Sequence, residues 1–402
     1  MRTFEKIFFG IALFFAFTLP LSKALISILS AAMFLLWLGD ALYMRRLGED
    51  GRRLWSIPVV RWFAIFILFG FVSLLWAHTM GDLWRYRFTT VYLFILIIPA
   101  LVIYIKPHQT HHLLSAFLLG IFVSEIVSYG IFFELWRYKN VSPDDPTPFM
   151  MHIEYSTLLA FTSLFLLYRI ATTLELRSRI IYGLFFVSVT INLFINGGRT
   201  GQMIFFVTSL LVLFLGVRNK LKALGLFVVG IVLVGALAWN LSSTFASRTQ
   251  LTIDSIKMVL YEDNYATGLG NRLGSYFPAW ELWKERPLLG AGWVGHEKLV
   301  TDLERAKYPQ LIEAGYVHLD LQNQFLMIIV EFGLVGLVLF GMIFISLWRM
   351  PHSSKDCALK AIFLSVLLLY FMSEGWVHHF ILTWGALMIA VLAIRSSALP
   401  HR

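Results

Sequence analysis

Cysteine occurs once in 402 residues, as Cys357. A lone thiol excludes an internal disulfide and any metal site built from several cysteines, so the loops must be ordered by packing alone. Charge is also sparse: Asp, Glu, Lys and Arg make up 14% of the chain against 58% apolar residues. A soluble globule of that composition would have more apolar surface than it could bury. The formal charge is +9, yet the basic residues are scattered through short connections instead of forming one basic face, which argues against nucleic acid as a partner. No soluble-cofactor motif, internal repeat or low-complexity tract occurs. The pairs His111 with His112 and His378 with His379 are adjacent, so on a helix they diverge, and no metal is expected.

What the sequence does have is apolar residues in long runs. Lipid offers no partner to a backbone amide, so a run that crosses roughly 30 Å of hydrocarbon must be a helix or a barrel strand, and continuous rather than alternating runs select helices. The expected spans are Ile7 to Leu21, Ala24 to Tyr43, Val59 to Ala77, Val91 to Tyr104, Leu113 to Leu135, Tyr155 to Tyr168, Ile180 to Ile195, Met203 to Val217, Leu224 to Trp239, Phe325 to Leu347, Ala361 to Met372 and Phe380 to Ile394. Arg2 and Lys6 precede the first run, but no small-residue cleavage site follows it, so it is expected to be a retained span. The fold class predicted is an all-α polytopic membrane protein of about 12 transmembrane helices.

Lys and Arg are retained on the cytoplasmic side of short loops. One alternating set of connections holds Arg45, Arg46, Arg52 and Arg53, then Lys106, Arg177 and Arg179, Arg218, Lys220 and Lys222, Arg349, Lys355 and Lys360, and Arg395 and Arg402. The other holds Lys23, Arg85, Arg87, Arg137, Lys139 and Arg199, with Asp82, Asp144 and Asp145 among them. Both termini are therefore expected in the cytoplasm, with one large periplasmic loop between spans 9 and 10. This divides the chain into residues 1–239 with spans 1 to 9, a cap at 240–324 carrying active-site residues, and 325–402 with spans 10 to 12 and a cytoplasmic tail. So long a connection is expected to fold rather than hang loose, and Tyr276 to Lys284 reads as one of its helices.

Three polar features fall on the outer side. The first is Asn196-Gly197-Gly198-Arg199-Thr200-Gly201-Gln202, where glycines admit an anion to backbone amides, Arg199 adds a planar donor fork, and the next span points its amino terminus the same way. The second runs from Gly270-Asn271-Arg272-Leu273-Gly274 to Arg286-Pro287-Leu288-Leu289-Gly290-Ala291-Gly292, with Arg272 starting a helix, Arg286 finishing it and a turn re-entering the membrane face. The third is Tyr316 to Phe325, containing His318, Asp320, Gln322 and Asn323. In a helix His318 and Gln322 share a face, and in an extended segment His318, Asp320 and Gln322 do; either presents an imidazole with a polar neighbour. Glu125, Glu134, Glu154 and Glu374 lie in or beside spans, where carboxylates are costly, and Glu154 ranks first because His152-Ile153-Glu154-Tyr155-Ser156 sits at an outer mouth.

Taken in this order, these features resemble the O-antigen ligase and polymerase family of membrane glycosyltransferases. The resemblance is most specific through Gly198-Arg199-Thr200-Gly201, Arg272, the Pro287 to Gly292 run and Glu331-Phe332-Gly333-Leu334-Val335-Gly336. It implies a GT-C type fold in the bacterial inner membrane, no cofactor and, for the ligases, no metal. Transfer would run from an undecaprenyl diphosphate-linked O-antigen to the lipid A core on the periplasmic face. Arg199 and Arg272 carry over as ligands of the donor diphosphate and His318 as the general base, with Gln322, Asn323 and Glu154 in supporting places. One departure stands out. The family has His-Asn directly before the span where this chain has Gln322-Asn323, so either His318 reaches the site through a shifted segment or Gln322 stands in the usual place; His318 is the expectation. The polymerase of the same family, a transferase acting on protein hydroxyls and a non-enzymatic lipid-linked glycan transporter are the alternatives. The absence of inverted halves counts against the last.

Overall fold

The computed structural model of the protein describes residues 3–77, 96–138, 141–309, 311, 321–375 and 378–398, and all regular structure among them is helical. Several apolar runs begin where a short polar side chain meets an otherwise unpartnered amide. Ser22 Oγ accepts from the Leu25 amide and opens α2 (Lys23–Tyr43), and Asn219 Oδ1 does the same from Lys222 for α10 (Lys220–Leu241). Around them stand α1 (Thr3–Thr18), α3 (Leu47–Ser56), α4 (Pro58–Ser73), α5 (96–104), α6 (Thr110–Phe132), α7 (His152–Thr172), α8 (Leu176–Ile195) and α9 (Arg199–Gly216). After a cap of α11 (Ser243–Glu262), α12 (Gly268–Gly274), α13 (Tyr276–Glu285) and α14 (His296–Lys307), the chain returns through α15 (Gln324–Arg349), α16 (Ser354–Phe371) and α17 (His379–Ser396).

Among the described residues eight helices are long and apolar enough to cross a membrane: α2, α6 to α10, α15 and α17. A ninth counts if α3 and α4, bent by 101°, form one broken span. The other expected spans coincide with α1, which has 16 residues, with α5, whose expected start at 91–95 lies outside the described residues, and with α16, which carries Lys355, Asp356 and Lys360 near its start. Together the helices make a multi-pass membrane protein. α17 is its axis: Trp384, fully buried, meets Phe161 of α7 and Phe363 of α16 edge to face, with ring centroids 4.9 and 5.1 Å apart. α10 lies at the rim, with Val228, Val229, Val232 and Leu233 exposed, an apolar face that lipid covers.

One span is interrupted. Phe325 to Leu347 reads as continuous helix in sequence, but Gly333 has φ 62° and ψ −160°, a conformation open in practice only to glycine. The break frees backbone groups, and residues 287–292 satisfy them. The amides of Ala291 and Gly292 donate to the carbonyls of Val330 and Glu331 at 2.8 Å each, while the carbonyls of Pro287 and Leu288 accept from the amides of Leu334 and Val335 at 2.9 and 3.1 Å. The Trp293 amide then donates to Ser73 Oγ at 2.9 Å, tying the segment to the end of α4. His296 Nδ1 lies 3.1 Å from Glu331 Oε1, both buried, and fixes α14 to the same place. The Pro-Leu-Leu-Gly-Ala-Gly run is thus the backbone complement of the α15 break, which holds the cap against the spans.

A Cβ on Gly333 would lie 2.3 Å from the Leu288 carbonyl oxygen, whereas one on Gly341 of the same helix meets open space. Gly333→Ala is therefore expected to cost about 1–3 kcal/mol from its conformation alone, and more from the collision. Thermal unfolding of the purified protein should drop by several degrees for Gly333→Ala and stay put for Gly341→Ala.

Candidate functional site

Of the polar residues singled out in the sequence, Arg199, Arg272, Gln322, Asn323 and Glu154 gather at one end of the bundle. There the loop before α7, the glycine turn before α9, the cap and the turn between α16 and α17 meet. The glycine turn is built from within. Asn196 Oδ1 accepts from the Gly198 amide at 2.9 Å, Asp145 Oδ1 accepts from the Gly197 amide at 2.9 Å, and Ser156 Oγ accepts from the Gly201 amide at 3.2 Å. Glycine is needed here for close approach, since a Cβ on Gly201 would lie 2.2 Å from the Ser156 carbonyl oxygen of α7. These amides were expected to face an anion. The structure engages them with side chains instead, because buried amides need a partner.

Arg199 Nη1 donates to Thr252 Oγ1 of α11 at 2.8 Å, and a Cβ on Gly268 would be 3.4 Å from its Nη2, so α12 covers its other side. Among the described residues no carboxylate lies within ion-pair distance of Arg199. Instead the charges of Arg272 and Arg248 bear on it. Arg272 lies in the last turn of α12 rather than at the start of the following helix. Pro278, three residues into α13, has no amide to continue the ladder and separates the two. Arg272 Nε donates to Gln322 Oε1 at 3.1 Å, and its Nη2 pairs with Glu374, whose side chain is 5% exposed. The other Glu374 oxygen is 3.5 Å from His378 Nε2.

The structure therefore brings Arg199, Arg272 and Gln322 together. Asn323 is beside them in a supporting position: its oxygen accepts from the Phe325 and Leu326 amides and so caps α15, while its nitrogen donates to the Tyr276 hydroxyl at 2.9 Å and the Met372 carbonyl at 3.2 Å. Glu154, 5% exposed, accepts from the Phe380 amide at 3.1 Å and so serves the start of α17, within electrostatic reach of His378. His318 and Asp320 lie outside the described residues. His378 and His379 diverge as adjacency dictates, His379 Nε2 lying 3.3 Å from Ser27 Oγ.

Three participants were not placed at the site by sequence reasoning. Glu374 was visible as a costly carboxylate beside a span and His378 as half of an adjacent pair, but neither signalled a link to Arg272. Arg248 had a fainter signal, the spacing Thr244, Arg248, Thr252 along one face of α11. Its neighbour Asp145 accepts from His152 Nδ1 at 2.9 Å. Burial raises the proton affinity of Asp145, but the hydrogen bonds from His152 and the Gly197 amide, with the charges of His152 and Arg248, outweigh it and hold the carboxyl below its ordinary range. Guanidinium forks with no carboxylate in ion-pair distance among the described residues, as at Arg199, suit an anion of multiple oxygens such as phosphate.

Residues 183–341 match the family model described as O-antigen ligase. The matched stretch holds Arg199, Arg248, Arg272, Gln322 and the α15 break, whereas Glu154, Glu374 and His378 lie outside it. No curated protein matches the chain.

Because the folded Asp145 carboxyl titrates below its ordinary range, its contribution to stability is complete above that range and disappears as pH falls through the folded value. Asp145→Asn is expected to lose about 1–3 kcal/mol near neutrality. Its unfolding midpoint should also fall less steeply than the wild type's on acidification, as read by thermal unfolding across an acid pH series.

Proposed function

We propose, from the premise that residues 183–341 carry an O-antigen ligase family domain, that this protein transfers a preassembled polysaccharide from undecaprenyl diphosphate to a hydroxyl of the lipid A core. In this reading the fold is of the GT-C type, the protein sits in the bacterial inner membrane with both termini in the cytoplasm, and the site faces the periplasm. The observation that carries it is the convergence of Arg199 and Arg272, from separate elements, into one cation-rich cluster.

A sugar joined to a diphosphate already has a good leaving group, so the protein's task is to position it and to stabilise developing charge. Arg199 and Arg272 grip the diphosphate, and their fixed donors offset the negative charge that grows on the departing oxygen. The acceptor hydroxyl oxygen bonds to the anomeric carbon as the bond from that carbon to the diphosphate oxygen breaks. The hydroxyl proton passes to His318 as general base, and the lipid diphosphate leaves. Attack from the face opposite the diphosphate inverts the anomeric carbon. Gln322, hydrogen-bonded to Arg272 Nε, holds that guanidinium in orientation, and the undecaprenyl chain lies along apolar spans in lipid. The cap covers the sugars and receives the acceptor.

The test is transfer by the reconstituted protein given undecaprenyl diphosphate-linked glycan and lipid A core. Arg199→Ala and Arg272→Ala are each expected to lower turnover by about 10²-fold or more with the protein still inserted, and Lys at either position should rescue poorly because the fork is lost. Wild-type ligation by Arg272→Ala in a ligase-null cell would overturn the reading. Single repeat units accumulating in cells that lack the protein would assign it to the polymerase branch instead. For the base, His318→Ala should abolish transfer while Gln322→Ala weakens it; full activity of His318→Ala would move the role to another imidazole, with His378 beside Glu374 the next to substitute.

A further inference from the structure

α11 lies across the site with one face turned inward, and three residues one turn apart along that face make successive contacts. Thr244 Oγ1 donates to the Asp144 carbonyl at 2.8 Å. Arg248 Nη2 comes within 3.4 Å of where a Cβ on Gly197 would stand, which puts its guanidinium beside the glycine turn. Thr252 Oγ1 accepts from Arg199 Nη1 at 2.8 Å and donates back to the Arg248 carbonyl at 2.9 Å. The Arg199 guanidinium is thus tied through one hydroxyl to the backbone of Arg248, whose own charge bears on it.

Their charges are poorly met from within the protein. Arg272 has Glu374. The acid facing Arg248 is Asp145, whose two oxygens already accept from the Gly197 amide and His152. Neither Arg199 nor Arg248 has a carboxylate within ion-pair distance among the described residues, and Arg199 feels the like charges of both other arginines. Drawing three guanidiniums together disfavours the empty site, and a bound polyanion removes that repulsion. The number of forks bears on which polyanion. A phosphate esterified to both sugar and lipid has two free oxygens and one negative charge, which two forks can satisfy. A diphosphate in the same linkage has four free oxygens and a second charge, and a third fork meets them.

We propose that Arg248 is a third phosphate ligand and that the trio of Arg199, Arg248 and Arg272 makes the site select lipid diphosphates over lipid monophosphates. The inference rests on the reading of Arg199 and Arg272 as diphosphate ligands and adds to it a residue and a substrate preference.

The measurement is binding of farnesyl diphosphate and farnesyl monophosphate to the full-length protein in lipid nanodiscs. Wild type should prefer the diphosphate. Arg248→Gln should weaken the diphosphate about tenfold while leaving the monophosphate within about twofold, and Arg248→Lys should recover only part of the loss. Wild-type diphosphate affinity in Arg248→Gln, or equal weakening of both probes, would overturn the inference. If Arg248→Gln fails to fold, Arg248→Lys supplies the same readout: a drop confined to the diphosphate supports the assignment, and an unchanged ratio refutes it. Arg199→Gln and Arg272→Gln separate the two levels. If both of these lose diphosphate binding while Arg248→Gln does not, only the third ligand falls. If both keep wild-type affinity, the diphosphate site itself falls.

Discussion

Hydrocarbon supplies no partner for a backbone amide, so every helix end and every interruption at a membrane must find one within the chain. That requirement organises one whole end of this protein. Asp145 answers the Gly197 amide, Asn196 the Gly198 amide, Ser156 the Gly201 amide, Glu154 the Phe380 amide and Asn323 the first amides of α15. The same demand at Gly333 draws residues 287–292 onto α15 and fixes the cap on the spans. Polar side chains that look like a site in sequence are, for the most part, the means by which broken or ending helices are made tolerable.

The guanidiniums are the exception, and their position follows from the rest. Among the described residues, Arg199 and Arg248 have no carboxylate within ion-pair distance, while Arg272 shares Glu374 with His378. The helices that hold these residues are anchored independently: α9 by its close approach to α7 at Gly201, α11 by Thr244 and by Phe245 against Phe194, and α12 by Ser275 at its end, whose hydroxyl donates to the Leu321 carbonyl. Like charges held close by separate anchors cannot relax by moving apart, so their mutual repulsion persists in the folded protein.

The spans were legible because apolar length is a one-dimensional property, and the succession of Gly-Arg-Thr-Gly, the Pro287 to Gly292 run and the Glu331 to Gly336 run was legible because glycine and proline mark backbone that cannot be regular. The reason for that succession was not. Nothing in the order of residues says that the glycines at 290 and 292 serve the break at Gly333, because hydrogen bonds between separate segments leave no periodicity in either. Glu374 and His378 were visible only as costly or adjacent groups, since their meaning comes from Arg272, 102 residues away from Glu374 in sequence.

Composition and apolar runs by themselves determined that this chain is helical and lives in lipid, because only a helix of sufficient length satisfies its own backbone there. They also put its arginine forks and glycine turns at the ends of spans or between them. Which arginine stands beside which and which acid is already engaged were decided only by tertiary structure. Electrostatic partnership depends on distances of a few ångströms in space, and the chain reaches those distances from positions far apart along its length.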